Sequence, residues 1–171
     1  MAETEEPDTE MNAPAGAPDP GPVAVARPET VARLTELTDL FHNASPETVT
    51  AETDEAGTIH LRIGAFDGDF LSLAVKVPSP EKFVAARPIL LDVDAVASRP
   101  ITVFLRLNVA GLGSRKNLHD ALVLTEGPRQ IAFDLLPLDL AELEPTDAWL
   151  DVILAEPANT EISITRLEAT G

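Results

Sequence analysis

From Thr58 to Leu167 apolar and polar residues alternate with a period of two, the repeat of an extended strand that lays one face on a core. In TIHLRIGAF, Ile59, Leu61 and Ile63 share one face, and His60 and Arg62 the other. FLSLAVKV sets Leu71, Leu73, Val75 and Val77 against Ser72, Ala74 and Lys76. PILLDVD and ITVFLRLNV follow, the latter with Ile101, Val103, Leu105, Leu107 and Val109 facing in. ALVL, RQIAFDL, WLDVIL and EISITRL complete about eight segments of ordinary strand length. Between them lie turn-rich separators: Asp67-Gly68, Pro78-Ser79-Pro80, Arg99-Pro100, Gly111 to Ser114, Glu126-Gly127-Pro128 and Glu156 to Asn159. No separator has room for a crossover helix. The pattern predicts an all-β domain over residues 58–171, an antiparallel β-sandwich of jelly-roll or Greek-key type.

Asp67-Gly68, between two alternating runs, predicts a hairpin turn with Gly68 at positive φ. Upstream, residues 27–57 form a lead-in. There Val31, Leu34, Leu37 and Phe41 nearly make a helical stripe, while LTELTDLF also suits an edge strand. Residues 1–26 carry Glu3, Glu5, Glu6, Asp8, Glu10 and Asp19 with no basic residue before Arg27, and prolines recur from Pro7 to Pro28. Such a segment buries too little apolar area to offset its ordering entropy, so a disordered acidic tail is expected. It reads as a solubilising tail or as a docking segment that orders on a partner.

The formal charge of −17 repels phosphates and anionic lipid, which makes nucleic acid and membrane surfaces poor partners. No apolar run reaches the ~20 residues that span a bilayer. The acidic start, MAETEEPDTE, is unlike a secretory leader, and a cytoplasmic protein is expected. With no cysteine, disulfides, thiolate metal sites and cysteine nucleophiles are excluded.

The outward set of the strands holds the candidate chemistry. Phe104, Arg106 and Asn108 place an aromatic ring, a cation and an amide on one face, and Trp149 and Asp151 share a face opposite Leu150, Val152 and Leu154. If those strands are neighbours, the sheet carries one stacking ring amid hydrogen-bonding groups, an arrangement suited to a saccharide or similar polar ligand. Arg62 is a further candidate. Outward Arg and Asp on adjacent strands also make simple cross-strand ion pairs, and a lone Trp beside Leu also packs under loops. One Trp and no Tyr give few broad rings for stacking.

Other chemistry is sparse. GLGSRK (Gly111 to Lys116) lacks the spacing of a phosphate loop and reads as a mobile loop. Arg115 and Lys116, with His119 nearby, form a basic spot able to meet a carboxylate or an acidic partner. His42, His60 and His119 show no metal-ligand spacing. Asp67 and Asp69 are candidate oxygen ligands for a structural calcium ion, although the twelve-residue calcium loop is not matched. No cofactor and no catalytic residue is expected.

FDGDFLSL, VFLRLNV, QIAFDLLPLDL and AWLDVIL together resemble an alphaproteobacterial family of unknown function, common in the Rhodobacter group. Its members carry similar F-D-G-x-F-L-S-L, R-L-N and A-W-L-D-L runs. The resemblance covers roughly residues 40–167 and implies a non-catalytic β-sandwich like galactose-binding domains and carbohydrate-binding modules. The expectation is a binding module, with a saccharide-like ligand and a protein partner as the two alternatives.

Overall fold

A computed structural model describes residues 31–171, so the acidic tail assigned to residues 1–26 lies outside the described residues. Among the described residues nine strands follow one another: β1 (Val31–Arg33), β2 (Thr38–His42), β3 (Val49–Thr53), β4 (Ile59–Ile63), β5 (Leu71–Lys76), β6 (Ile89–Gly111), β7 (Ser114–Phe133), β8 (Asp147–Leu154) and β9 (Thr160–Thr170). Every pairing is antiparallel.

β6 joins the two halves of the sandwich. One of its edges pairs with β7 from end to end. The other pairs with β9 over Leu90–Ala97 and then with β8 over Val103–Ala110. Two sheets therefore share it, one running β3-β4-β9-β6 and the other β1-β2-β5-β8-β6, with β7 beside β6 in both. The passage between sheets falls at residues 97–100, which on β7 face only Thr125. Pro100 has no N–H to give to a ladder, and such a bulge is where a strand tolerates it. Arg99 braces the corner, its guanidinium donating to the carbonyls of Glu156 and Ala158.

The all-β antiparallel sandwich matches the expectation, but several boundaries differ. Arg99-Pro100 and Glu126-Gly127-Pro128 do not divide strands. They bend single strands of 23 and 20 residues, Gly127 doing so at φ 93°. The stripe from Val31 to Phe41 is strand rather than helix: among the described residues the lead-in supplies β1, β2 and β3, with one 3-10 turn at Pro46–Thr48, so the sandwich already includes Val31 rather than starting at Thr58. Period-two burial of Thr38, Leu40 and His42 prevails there over the loose helical stripe, and Leu37 is left exposed.

The hairpin at Asp67-Gly68 is also absent. β4 pairs with β3 and β9 while β5 pairs with β2 and β8, so residues 64–70 cross from one sheet to the other. Gly68 is not at positive φ. Glycine is needed there for close approach, since a Cβ would lie 2.6 Å from Asn43 Oδ1 and 2.7 Å from the Ala44 nitrogen. The two-residue hairpin turn lies instead at Leu112-Gly113, inside the stretch read as a mobile loop. Both residues have positive φ (44° and 77°), the type I′ geometry that matches strand twist.

Inward faces of both sheets fill one core of Leu, Ile and Val, with Leu61, Leu73, Leu91, Leu105, Leu107, Leu150 and Ile162 almost wholly enclosed. Burying each such side chain contributes about 1.5–3 kcal/mol before ordering entropy is deducted.

Candidate functional site

Three registers across β7, β6, β8 and β5 assemble the outward residues. In the first, Ala121, Phe104, Ile153 and Ser72 lie side by side, with Phe41 of β2 beyond them. The second aligns His119, Arg106, Asp151 and Ala74. The third aligns Asn117, Asn108, Trp149 and Lys76. Phe104, Arg106, Asn108, Trp149 and Asp151, singled out from separate segments, thus share one face. The condition that their strands be neighbours is met.

That face has a buried polar floor. Arg106, Asn108 and Asp151 are only 9%, 0% and 1% exposed. They point outward as the alternation requires, yet they lie beneath the surface rather than on it. Arg106 donates to Asp151 Oδ2 through Nε (3.0 Å) and Nη2 (2.9 Å), and Asn108 Nδ2 donates to the same oxygen at 2.9 Å. Asn108 Nδ2 also reaches the carbonyls of Arg106 (3.1 Å) and Trp149 (3.4 Å), tying β6 to β8. One carboxylate oxygen therefore takes three donors. The other, Asp151 Oδ1, is buried without a partner, as are Asn108 Oδ1, Asn117 Oδ1 and Ser72 Oγ, all on this same face.

Above the floor stand groups that solvent reaches. Trp149 and Phe104 are half-buried, and Lys76, Arg115 and His119 are exposed. The Arg115 guanidinium lies over the Trp149 ring, 5.8 Å from its centroid. Partial desolvation of the ring where it meets the sheet lowers the His119 pKa below its ordinary value, and the Arg106 charge lowers it further. Lys76 on β5 and Arg115 on β7 are far apart in the sequence, and both meet at Trp149.

Arg62 stands elsewhere. It projects from β4 on the other sheet, largely exposed and 3.9 Å from Glu161. There it lines an open polar cleft of about 490 Å³ with Thr48, Thr50, Ser98 and Asn159. It shares no surface with the Trp149 face.

Asp67 and Asp69 serve the sheet crossing. Asp67 accepts from the Ser45 backbone N–H (2.7 Å) and from the Ser45 hydroxyl, which hold its carboxyl below the ordinary carboxylate range. Asp69 accepts from Asn43 Nδ2 at 3.0 Å, and Asn43 Oδ1 accepts from the backbone N–H of Asp69 at 2.7 Å. The two carboxylates clamp the β2–β3 connection through separate partners. Among the described residues no group of three His, Cys, Asp or Glu side chains is placed to hold a metal ion.

Comparison with solved structures finds the same fold in distant sequences. A family 11 carbohydrate-binding module from Clostridium thermocellum, solved in complex with a β-1,3-1,4-mixed-linked tetrasaccharide, aligns with a TM-score of 0.50 at 10% identity, over 83% of this chain and 95% of that one. The enzymatically active domain of tailspike protein 4 from bacteriophage CBA120 aligns with a TM-score of 0.51 at 10% identity, over 81% of this chain. The matched part is 20% of the tailspike chain. No curated protein matches the sequence. Residues 17–170 match a family of unknown function, and the chain belongs to that family, DUF6478.

Proposed function

We propose that this chain is a non-catalytic binding module whose outer face over β5, β8 and β6 takes a saccharide-like polar ligand. The observation that carries this reading is the set of orphaned polar atoms on the face that carries Trp149. Asp151 Oδ1, Asn108 Oδ1 and Asn117 Oδ1 are all acceptors, and Ser72 Oγ both donates and accepts. An unpaired buried polar group costs about 1–3 kcal/mol, so four on one face favour a donor-rich partner whose arrival shifts the side chains above them and opens the floor to it. Sugar hydroxyls are such donors, and an aromatic ring beside them suits the apolar face of a pyranose. The likeness in fold to a carbohydrate-binding module supports the same reading.

The test is a glycan microarray probed with the full chain, followed by titration calorimetry of the hits. Trp149→Ala should weaken binding by about tenfold or more, the loss of one well-placed stacking contact, while its thermal midpoint stays close to that of the parent. If Trp149→Ala unfolds the domain, the ring is a structural element and the reading loses its anchor. If no glycan on the array is retained and none raises the thermal midpoint, the reading fails outright.

A further inference from the structure

The Trp149 face departs in charge from the rest of the molecule. In a chain of net charge −17, residues 95–119 contain no carboxylate but include Arg99, Arg106, Arg115 and Lys116. Arg99 is committed to backbone carbonyls at the β6 corner and Arg106 to Asp151. Arg115 and Lys76 are not within ion-pair distance of any carboxylate among the described residues. Lys76 is the register partner of Trp149 on β5, and Arg115 reaches over the ring from β7. Against them stands Asp147, exposed and two residues before Trp149 on the same strand face. Asp39, farther out on β2, is paired with Arg33 at 3.1 Å. Around the ring two cations thus face one carboxylate.

Arg115 also occupies the surface that a sugar would stack on. A neutral sugar must displace the guanidinium and offers it only uncharged hydroxyl acceptors. A sugar bearing a carboxylate offers the guanidinium a stronger, bidentate partner while uncovering the ring. We infer that the ligand of this face is an acidic oligosaccharide of the uronic-acid class, its carboxylate held by Arg115 and Lys76 and its pyranose ring on Trp149. This rests on the saccharide-binding reading above and narrows it. An acidic polypeptide would meet the two cations as well, but it brings one backbone N–H donor per residue, where each pyranose brings several hydroxyl donors for the acceptors of the floor.

Calorimetry with the full chain separates the cases. The probes are tetramers of galacturonate, guluronate and mannuronate, a neutral mixed-linked glucan tetrasaccharide, and a glutamate-rich peptide of the same charge. At least one uronate should bind about tenfold or more tighter than the neutral glucan, the scale of one charge-assisted contact. Arg115→Ala and Lys76→Met should each weaken that uronate by about tenfold, and Asp147→Asn should strengthen it. For the neutral glucan Arg115→Ala should have no effect or improve binding, because it bares the ring. This opposite response is the signature of the proposal. If the neutral glucan binds as tightly as the uronates, or Arg115→Ala weakens both alike, the acidic-sugar assignment is overturned while the saccharide reading stands. If the peptide binds tightest, or no probe binds, both fall.

Discussion

Removing the Asp151 carboxylate would test the polar floor most directly. Asp151→Ala takes away the acceptor of three hydrogen bonds, two from Arg106 and one from Asn108, and leaves the guanidinium beneath the surface with its charge uncompensated. Breaking a buried pair from one side costs about 3–5 kcal/mol. Asn108 keeps the Arg106 and Trp149 carbonyls, so its own loss is small. For a domain of this size the expected fall in thermal midpoint is roughly 10–20 °C. The double variant Arg106→Met with Asp151→Leu removes both charges, fills the space, and should recover most of that loss. Circular dichroism melts and urea unfolding of the parent, Arg106→Met, Asp151→Leu and the double variant give the coupling energy directly. Coupling below about 1 kcal/mol would refute the reasoning, because the pair would then behave like an exposed ion pair of no consequence.

Two further perturbations probe the frame around the site. Gly68→Ala should lose about 2 kcal/mol or more in urea unfolding, since its Cβ meets the backbone of Ala44, whereas Gly113→Ala has open space and bears only the cost of its positive φ, about 1 kcal/mol; equal losses would show that the Gly68 contact yields freely. His42, buried on the core face of β2 with Nδ1 unpaired, has its pKa lowered from 6.5 by desolvation. The unfolded chain therefore binds the proton more readily, so His42's stability contribution is complete above pH 6.5 and declines as pH falls through the window beneath it. The urea midpoint of the parent should drop between neutral and mildly acidic pH, and His42→Leu should flatten that slope where His119→Asn flattens it less.

Much of this could be read from single residues, and the remainder needed the register. Period two alone places Trp149 opposite Leu150, and Phe104, Arg106 and Asn108 opposite the core, because side-chain direction follows from backbone geometry. The pairing of Arg106 with Asp151 across 45 residues could not be read that way, nor the meeting of Lys76, Trp149 and Arg115. Depth was equally hidden: an outward polar residue is exposed or buried according to its neighbours, and Asn108 is enclosed by groups from three strands. Local punctuation misled where tertiary pairing overrode it. Pro100 resembles a strand end but is a corner, because the two halves of β6 each find partners on the same edge. Local pattern makes Gly68 a hairpin glycine, yet it answers to Asn43 and Ala44, distant in sequence and invisible to that pattern.

The charge of the whole chain and the charge of the face act over different distances, and ionic strength separates them. At about 10 mM salt the screening length is roughly 30 Å, comparable to the domain, so an approaching uronate feels the repulsion of the entire acidic molecule. At about 150 mM it is roughly 8 Å, which leaves Lys76 and Arg115 effective across the Trp149 ring while the distant carboxylates fade. Near 1 M it shrinks to about 3 Å and the local cations are screened too. Affinity for an acidic oligosaccharide should therefore pass through a maximum at intermediate salt, whereas a neutral sugar, held by ring and hydroxyl contacts, should show almost no dependence. A calorimetric salt series with the full chain reads this out. A monotonic fall from the lowest salt would mean that the face is governed by its two cations alone and that the surplus of acids lies too far off to matter. A flat profile for the uronate would place its carboxylate away from Lys76 and Arg115 altogether.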